Sequence, residues 1–472
     1  MRRASATVLL LPLTLAPTLA AASSTQPDLT GTGLGLLAVA VFVAAYAFVI
    51  AEEFTELRKS KPMVVAAGII WLLVALAWQQ SGVAGAADAL QRNVLEYGEL
   101  LLFLIAAMTY VNTLQERNVF AALRSSLLAR GLSLRAVFWL TGLAAFFLSP
   151  VIDNLTTALV IGAVVLAMGR GHRAFLAPAC INVVVAANAG GAFTPFGDIT
   201  TLMVWQKGLL GFFEFFALFV PALANWLVPA VCMSFAIPTG RPEPEPERER
   251  VAVKYGGYGV IALFAVTIGL TVSMHQFLHL PPFLGMMTGL GLLQLFGYVI
   301  SRRERHTVSA IPVQLENLPG VRPLEKPFDI FISMKRVEWD TLLFFYGVVL
   351  CVGGIAALGY LTVLSQASYG ELGPTFANVL VGVASAVIDN IPIMFAVLSV
   401  EPAMSDGQWL LVTLTAGVGG SLLSIGSAAG VALMGQARGA YTFGSHLKWT
   451  WAIALGYAAS IWVHFLINAA RF

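Results

Sequence analysis

The chain is 472 residues long, 58% hydrophobic and 11% charged, with a formal net charge of +2 and a mean hydropathy of +0.82. Soluble domains carry about 25% charged residues, so this composition excludes an ordinary soluble enzyme or binding module, and so small a net charge is no footprint of a nucleic-acid partner. Apolar stretches of roughly 18 residues or more recur along the whole length, which predicts an all-α, multi-pass membrane protein surrounded by lipid.

The leader "MRRASATVLLLPLTLAPTLAAASS" has Arg2 and Arg3, a short apolar core broken by Pro12 and Pro17, and small residues near Ala22. It reads as a cleaved signal peptide over 1–22; the alternative is a first membrane helix, against which the two prolines count. Apolar segments follow at 33–51, 62–79, 97–114, 136–148, 151–168, 174–206, 210–236, 255–274, 282–300, 339–362, 372–388, 391–400, 409–435 and 449–470. A full crossing needs about 20 residues. The pieces 136–148, 151–168, 372–388 and 391–400 are short or polar-capped.

Lysine and arginine placement orients these segments. Arg58, Lys59 and Lys61 mark the inside, as do Arg117, Arg124, Arg130 and Arg135, then Arg170 and Arg173. Both flanks of 136–168 are therefore positive, so this pair enters from the cytoplasm, turns at "SPVIDN" and returns. The loops flanking 372–400, "SQASYGELG" and "EPAMSDGQ", hold no Lys or Arg, so the second pair enters from outside. The expectation is about ten transmembrane helices plus two opposed re-entrant hairpins.

A Pro- and charge-rich strap at 238–254 divides the chain and reads as a cytoplasmic linker. The expected first repeat is 33–237, with hairpin 136–168 and broken helix 174–206. The second is 255–472, with a cytoplasmic segment 301–338, hairpin 372–400 and broken helix 409–435. "VIDN" occurs at 151–154 and at 387–390, and Gly190, Gly191 and Gly197 align with Gly419, Gly420 and Gly426. Five crossings precede the second half, so the repeat is inverted, a pattern of secondary transporters with a site near the midplane. Broken helices at membrane depth are tolerated only where their backbone is buried in protein or lines a cavity.

The polar side chains on these breaks are Ser149, Asp153, Asn154, Thr156, Thr157, Asn188, Thr194, Asp198, Thr200 and Thr201 in one half, and Ser385, Asp389, Asn390, Ser424 and Ser427 in the other. Three carboxylates with amides and hydroxyls, and no Lys or Arg in the same stretches, suit a small hard cation. A carboxylate in the membrane is costly, which argues for a function, and one that holds either a proton or a metal cation is the simplest chemistry for exchange. Simpler readings stand beside this one. Asp and Asn are good helix N-caps; Thr200 and Thr201 either join the site or bond back to their own helix; Ser424 and Ser427 either ligate or pack. Glu99, Glu338 and Asp340 lie at span ends and serve either proton access or an interfacial surface. Cys180, Cys232 and Cys351 fall in apolar segments and read as small core residues. The six histidines are scattered and form no metal motif. Segment 316–336 either lies on the inner membrane surface or is a plain connector.

"SPVIDNLTTAL", "NAGGAFTPFGDITTLMVWQKG", "SAVIDNIPIMFA" and "GGSLLSIGSAAGVALMGQARG" resemble the NhaD-type sodium/proton antiporters of the ion transporter superfamily, from about residue 33 to the C-terminus. The resemblance implies exchange of cytoplasmic Na+ or Li+ for external H+ in a bacterial inner membrane, no cofactor beyond the transported ions, and a homodimer with a scaffold and a moving transport unit. It implies transport roles for Ser149, Asp153, Asn154, Asn188, Asp198, Thr200, Thr201, Ser385, Asp389, Asn390, Ser424 and Ser427, with Glu99, Glu338 and Asp340 as further acidic positions. Related superfamily members carry arsenite or dicarboxylates. Dicarboxylate carriers typically show Ser-Asn-Thr at the tips, where this chain has Asp153-Asn154-Leu155 and Asp389-Asn390-Ile391. An anion or metalloid carrier is the alternative. An intramembrane protease using paired aspartates is a more distant one, unsupported by any protease motif.

Overall fold

Helix starts and stops follow the polar residues set into the apolar runs. The computed structural model describes residues 28–128, 131–241, 251–309 and 328–472. The expected leader at 1–22 lies outside the described residues, as do the middle of the 238–254 linker and the middle of the 301–338 segment.

Thr32 opens α1 (Gly33–Ile50), its hydroxyl accepting from Gly35 N–H at 3.1 Å. Then come α2 (Ser60–Gln80) and α3 (Ala86–Glu116). The 31-residue α3 begins well before the apolar edge at residue 97, because Ala, Leu, Gln, Arg and Glu in its first turns are all good helix formers. At 1.5 Å per residue it is about 46 Å long, so its polar first turns extend beyond a hydrocarbon core of about 30 Å. Ser133 caps α4 (Leu134–Ile152), which ends at Asp153; α5 (Asn154–Met168) starts at the next residue. α6 (Arg173–Gly191) and α7 (Ile199–Gln206) are two parts of one broken segment, followed by α8 (Phe219–Ser234).

The second half repeats this order. α9 (Gly257–Leu278), α10 (Pro282–Ser309) and α11 (Trp339–Ala357) precede a second interrupted pair, α12 (Pro374–Ala384) and α13 (Asn390–Val400). A second broken segment, α14 (Asp406–Gly419) and α15 (Ala428–Gln436), leads to α16 (Thr450–Ile467).

The match between halves extends to single atoms. Ser149 Oγ donates to the Ala187 carbonyl at 2.6 Å, and Ser385 Oγ to the Ala416 carbonyl at 2.9 Å. A Cβ on Gly190 would meet the Phe146 carbonyl oxygen far inside van der Waals contact, and one on Gly419 would meet the Gly382 carbonyl in the same way. Both glycines are therefore required by a close backbone approach of the helix before the tip to the helix before the break.

Packing crosses the halves reciprocally. α5 lies against α15, α13 lies against α7, and α8 lies against α16. Around this interlocked unit, α2 packs on α1 and α11, while α3 packs on α10 and α9. Trp71 and Trp78 of α2 donate their indole N–H groups to the carbonyls of Leu350 and Ala357, at 2.8 and 3.1 Å, which satisfies buried donors at the α2–α11 interface. Helix α6 runs through the centre, 83% buried, whereas α1 is 22% buried. Its exposed Leu36, Leu37, Val43 and Phe48 face the outside, as expected where the surrounding solvent is hydrocarbon. Cys180 and Cys351 are buried in α6 and α11, and Cys232 is half-buried.

The described residues form helices and no strands, and ten of the helices are long and apolar enough to cross a membrane. The chain is a multi-pass membrane protein. The membership of the ten differs from the sequence reading at one place. α4, expected as half of a hairpin, has 19 residues and qualifies by length; α14, expected within a crossing, has 14 and does not. The cause is the position of the break. Asp153 stops α4 only after a full span's length, whereas the glycine pair at 419–420 ends α14 early.

Candidate functional site

The two interrupted pairs and the two broken helices converge on one cavity of about 80 Å³. At roughly 10–15 Å³ per water position it has room for a small ion with a few waters. Asp153, Asn154, Asp198, Asp389, Asn390 and Ser427 all line it.

Asp198 is the hub. It caps α7, accepting from Thr200 N–H at 3.0 Å and Thr200 Oγ1 at 3.1 Å through Oδ1. Its Oδ2 accepts from Asn154 Nδ2 of the first tip at 2.8 Å and from Asn390 Nδ2 of the second at 3.1 Å. One carboxylate thus ties both tips together. Asn154 Nδ2 also donates to Asn188 Oδ1 at 3.2 Å, and Asn188 Nδ2 donates to Ser421 Oγ and Ser427 Oγ, each at 2.8 Å. The polar chain therefore runs from the first tip through α6 into the second broken helix.

The two tip carboxylates differ. Asp153 has φ +71°, a left-handed value that costs about 1 kcal/mol or more for a residue with a Cβ. That turn folds its carboxylate onto α5, where Oδ1 accepts from Thr156 N–H at 2.7 Å and Oδ2 from Thr156 Oγ1 at 2.9 Å. Asp389 has φ −46°, and its Oδ1 accepts from Ile391 N–H at 3.4 Å. Its Oδ2 is 3.6 Å from the Lys59 ammonium, which also sits 4.4 Å from the Phe344 ring centroid. Asp389 N–H donates to the Tyr46 hydroxyl at 3.0 Å.

Other expected residues sit around the cavity rather than on it. The Ser149 and Ser385 hydroxyls hold the tips to α6 and α14. Thr201 Oγ1 bonds back to the carbonyls of Asp198 and Thr194. Thr157 is fully buried one turn into α5 with an unpaired hydroxyl. Ser424, at φ +59°, directs its hydroxyl to the Met434 sulfur and does not line the cavity. Asp340 accepts from Ser60 Oγ, and Glu338 from Thr341 Oγ1 at 3.3 Å, at the α11 N-terminus. Glu99 lines a separate cavity of about 100 Å³ with Glu96 and Lys207.

Sequence reasoning missed Lys59, Tyr46 and Ser421. The observation that no cation lies in the tip or glycine-rich stretches holds for the sequence, but folding brings Lys59 in from a loop read only as a marker of the inside. Ser421 directly follows the glycine pair at 419–420, the one signal that could have nominated it. Among the described residues, no three His, Cys, Asp or Glu side chains converge as a metal cage; the oxygen donors here are mixed carboxylate, amide and hydroxyl.

The family model described as "Citrate transporter" matches residues 29–417. The Na(+)/H(+) antiporter NhaD of Halomonas elongata is 52% identical over 476 residues, 98% of this chain and 95% of that protein. The protein of the same name from Vibrio cholerae is 52% identical over 474 residues, covering 98% and 99%. Sodium/proton antiporter 1 of Arabidopsis thaliana is 30% identical over 447 residues, covering 92% of this chain and 72% of that protein. With likeness of that degree from end to end, and a fold and cavity built on the tip and glycine motifs, the chain belongs to the NhaD family of antiporters, within the wider family that the citrate-transporter model describes.

Proposed function

We propose that this protein exchanges Na+ or Li+ for H+ across a bacterial inner membrane by alternating access. The observation that carries this reading is Asp198, held between Asn154 of one tip and Asn390 of the other in a cavity that Asp153 and Asp389 also line. Three carboxylates and one ammonium leave the lining formally negative. Hard oxygen donors with a negative sum favour a small monovalent cation, and a proton neutralises the same carboxylates. Asn154 and Asn390 offer NH2 to Asp198 and, turned about the last side-chain bond, a carbonyl oxygen to a cation. The names of the NhaD relatives agree with this chemistry. Citrate, a trianion, would meet three carboxylates against a single Lys59, so the charge of the site opposes the substrate in the family model's description.

In this reading the two interrupted pairs are opposed re-entrant hairpins, and the halves are inverted repeats over 33–237 and 255–472. The interlocked unit α4–α8 with α12–α16 moves against a scaffold of α1–α3 and α9–α11, as a homodimer. When the cation leaves, a proton takes its place among the same carboxylates for the return half of the cycle. The test is Na+-induced proton movement in everted vesicles. Wild type should respond to Na+ and Li+ and not to citrate or arsenite, and Asp198→Asn should not respond. A full Na+ response from Asp198→Asn would remove the site assignment.

A further inference from the structure

Among the described residues, Asp389 is the one cavity carboxylate with a cationic side chain beside it. Asp153 takes an N–H and an O–H from its own helix, and Asp198 takes amide, hydroxyl and backbone donors. Asp389 has a single long backbone bond at 3.4 Å and the Lys59 ammonium at 3.6 Å. Both partners are largely withdrawn from solvent, with side-chain exposures of 18% and 14%, so their attraction is screened far less than at a surface. Lys59 is held in place from behind by the Phe344 ring, 4.4 Å away, and it lines the same cavity as the proposed ligands. Its backbone precedes α2, which packs on α1 and α11. Asp389 opens α13, which packs on α7, next to Asp198. The ion pair therefore joins the two groups of helices that would move past each other.

We propose that Lys59 is a tethered rival cation at Asp389: its ammonium occupies the charge position that Na+ takes when it binds, so Lys59 weakens Na+ binding and sets the apparent affinity of the transporter. This rests on the exchange reading above. A cation entering at Asp389 meets a fixed positive charge, and the repulsion is removed only when Asp389 and Lys59 separate. Without that rival, Na+ would bind more tightly and would be released more slowly. A residue that merely positioned Asp389 would have the opposite signature, because its loss would weaken binding.

The test is the half-saturating Na+ concentration and maximal rate of Na+-driven proton movement in proteoliposomes, together with the Na+ concentration that raises the melting temperature of the purified full-length protein. Lys59→Met should lower both Na+ midpoints by about tenfold while the maximal rate stays equal or falls. Lys59→Arg, which keeps the charge, should restore midpoints within about twofold of wild type. Should Lys59→Met not fold, Phe344→Leu removes the ring behind the ammonium and should shift the midpoints in the same direction by a smaller factor. Unchanged or raised midpoints in a folded Lys59→Met protein, or in Phe344→Leu where that variant stands in, overturn the proposal and leave the exchange reading intact. A wild-type protein with no Na+ response in either measurement overturns the exchange reading itself.

Discussion

The two halves of the cavity share a backbone and differ in charge. In the first, Asp153 and Asp198 both cap helices of their own half with short backbone bonds, and Asp198 also accepts from Asn390 of the second. In the second, Ser427 stands where the aligned glycine motifs put Asp198, and it caps nothing with its side chain; Asp389 caps α13 through one long bond and meets Lys59 of the first half with its carboxylate and Tyr46 with its backbone N–H. Equivalent serines and glycines hold both tips in equivalent places. The repeat thus supplies position twice, and the chemistry is distributed unequally between the copies. In the proposed exchange, such a division would let a matched pair of elements move while an unequal set of ligands holds the ion.

The sharpest way to break this comparison is to exchange the unequal residues. Asp198→Asn should reduce Na+-driven proton movement by more than about 100-fold, since the hub's charge is lost and an ion-dipole contact cannot replace it. Ser427→Ala, at the matching place, should cost only a few-fold, because Asn188 keeps its bond to Ser421. Similar losses for both variants would mean the halves share the chemistry equally.

Next come the tips. Asp153→Asn should leave the melting temperature near that of wild type, because Asn is as good an N-cap as Asp, yet it should reduce exchange at least tenfold. An equal loss of stability and exchange would show that Asp153 is only a cap. The backbone equivalence is tested by Gly190→Ala and Gly419→Ala. Each should destabilise by about 1–3 kcal/mol through overpacking against a carbonyl, read as a lower melting temperature in detergent. A large effect at one and none at the other would break the structural parity of the halves.

The smallest expected effect is at the ion cluster of Lys207 with Glu96 and Glu401, 2.7 and 3.6 Å away. These side chains are 28%, 41% and 55% exposed, and such pairs contribute about 0–1 kcal/mol. Lys207→Gln should change the melting temperature by a degree or two and leave the Na+ midpoint unchanged. A shift in that midpoint matching Lys59→Met would erase the distinction drawn between a withdrawn ion pair and a solvated one.

Much of the arrangement was legible because lipid imposes a strict grammar. Apolar runs fixed the helices, and the breaks at "VIDN" and the paired glycines stood out because polar or flexible residues are rare there. Asp153, Asn154, Asp198, Asp389 and Asn390 follow from that alone. Lys59 did not, because its partner lies 330 positions away in sequence and its neighbours Arg58 and Lys61 gave it an adequate reason to exist. Ser424 was expected and Ser421 was not, although both lie in the same glycine-rich stretch. In an irregular loop no periodicity says which hydroxyl faces inward; the positive φ at Ser424 decides it. The start of α3 at Ala86 was missed for a different reason, since a helix rich in good formers continues past the end of its apolar run.

The central claim is that Na+ and H+ compete for one set of carboxylates shared by the two halves. The most direct measurement is the half-saturating Na+ concentration for exchange in proteoliposomes across pH. The account predicts that it rises as pH falls, approaching about tenfold per pH unit on the acid side, the free-energy equivalent of one proton displaced per cation. A half-saturating concentration that stays constant while exchange continues would place the proton at a separate site and contradict the account.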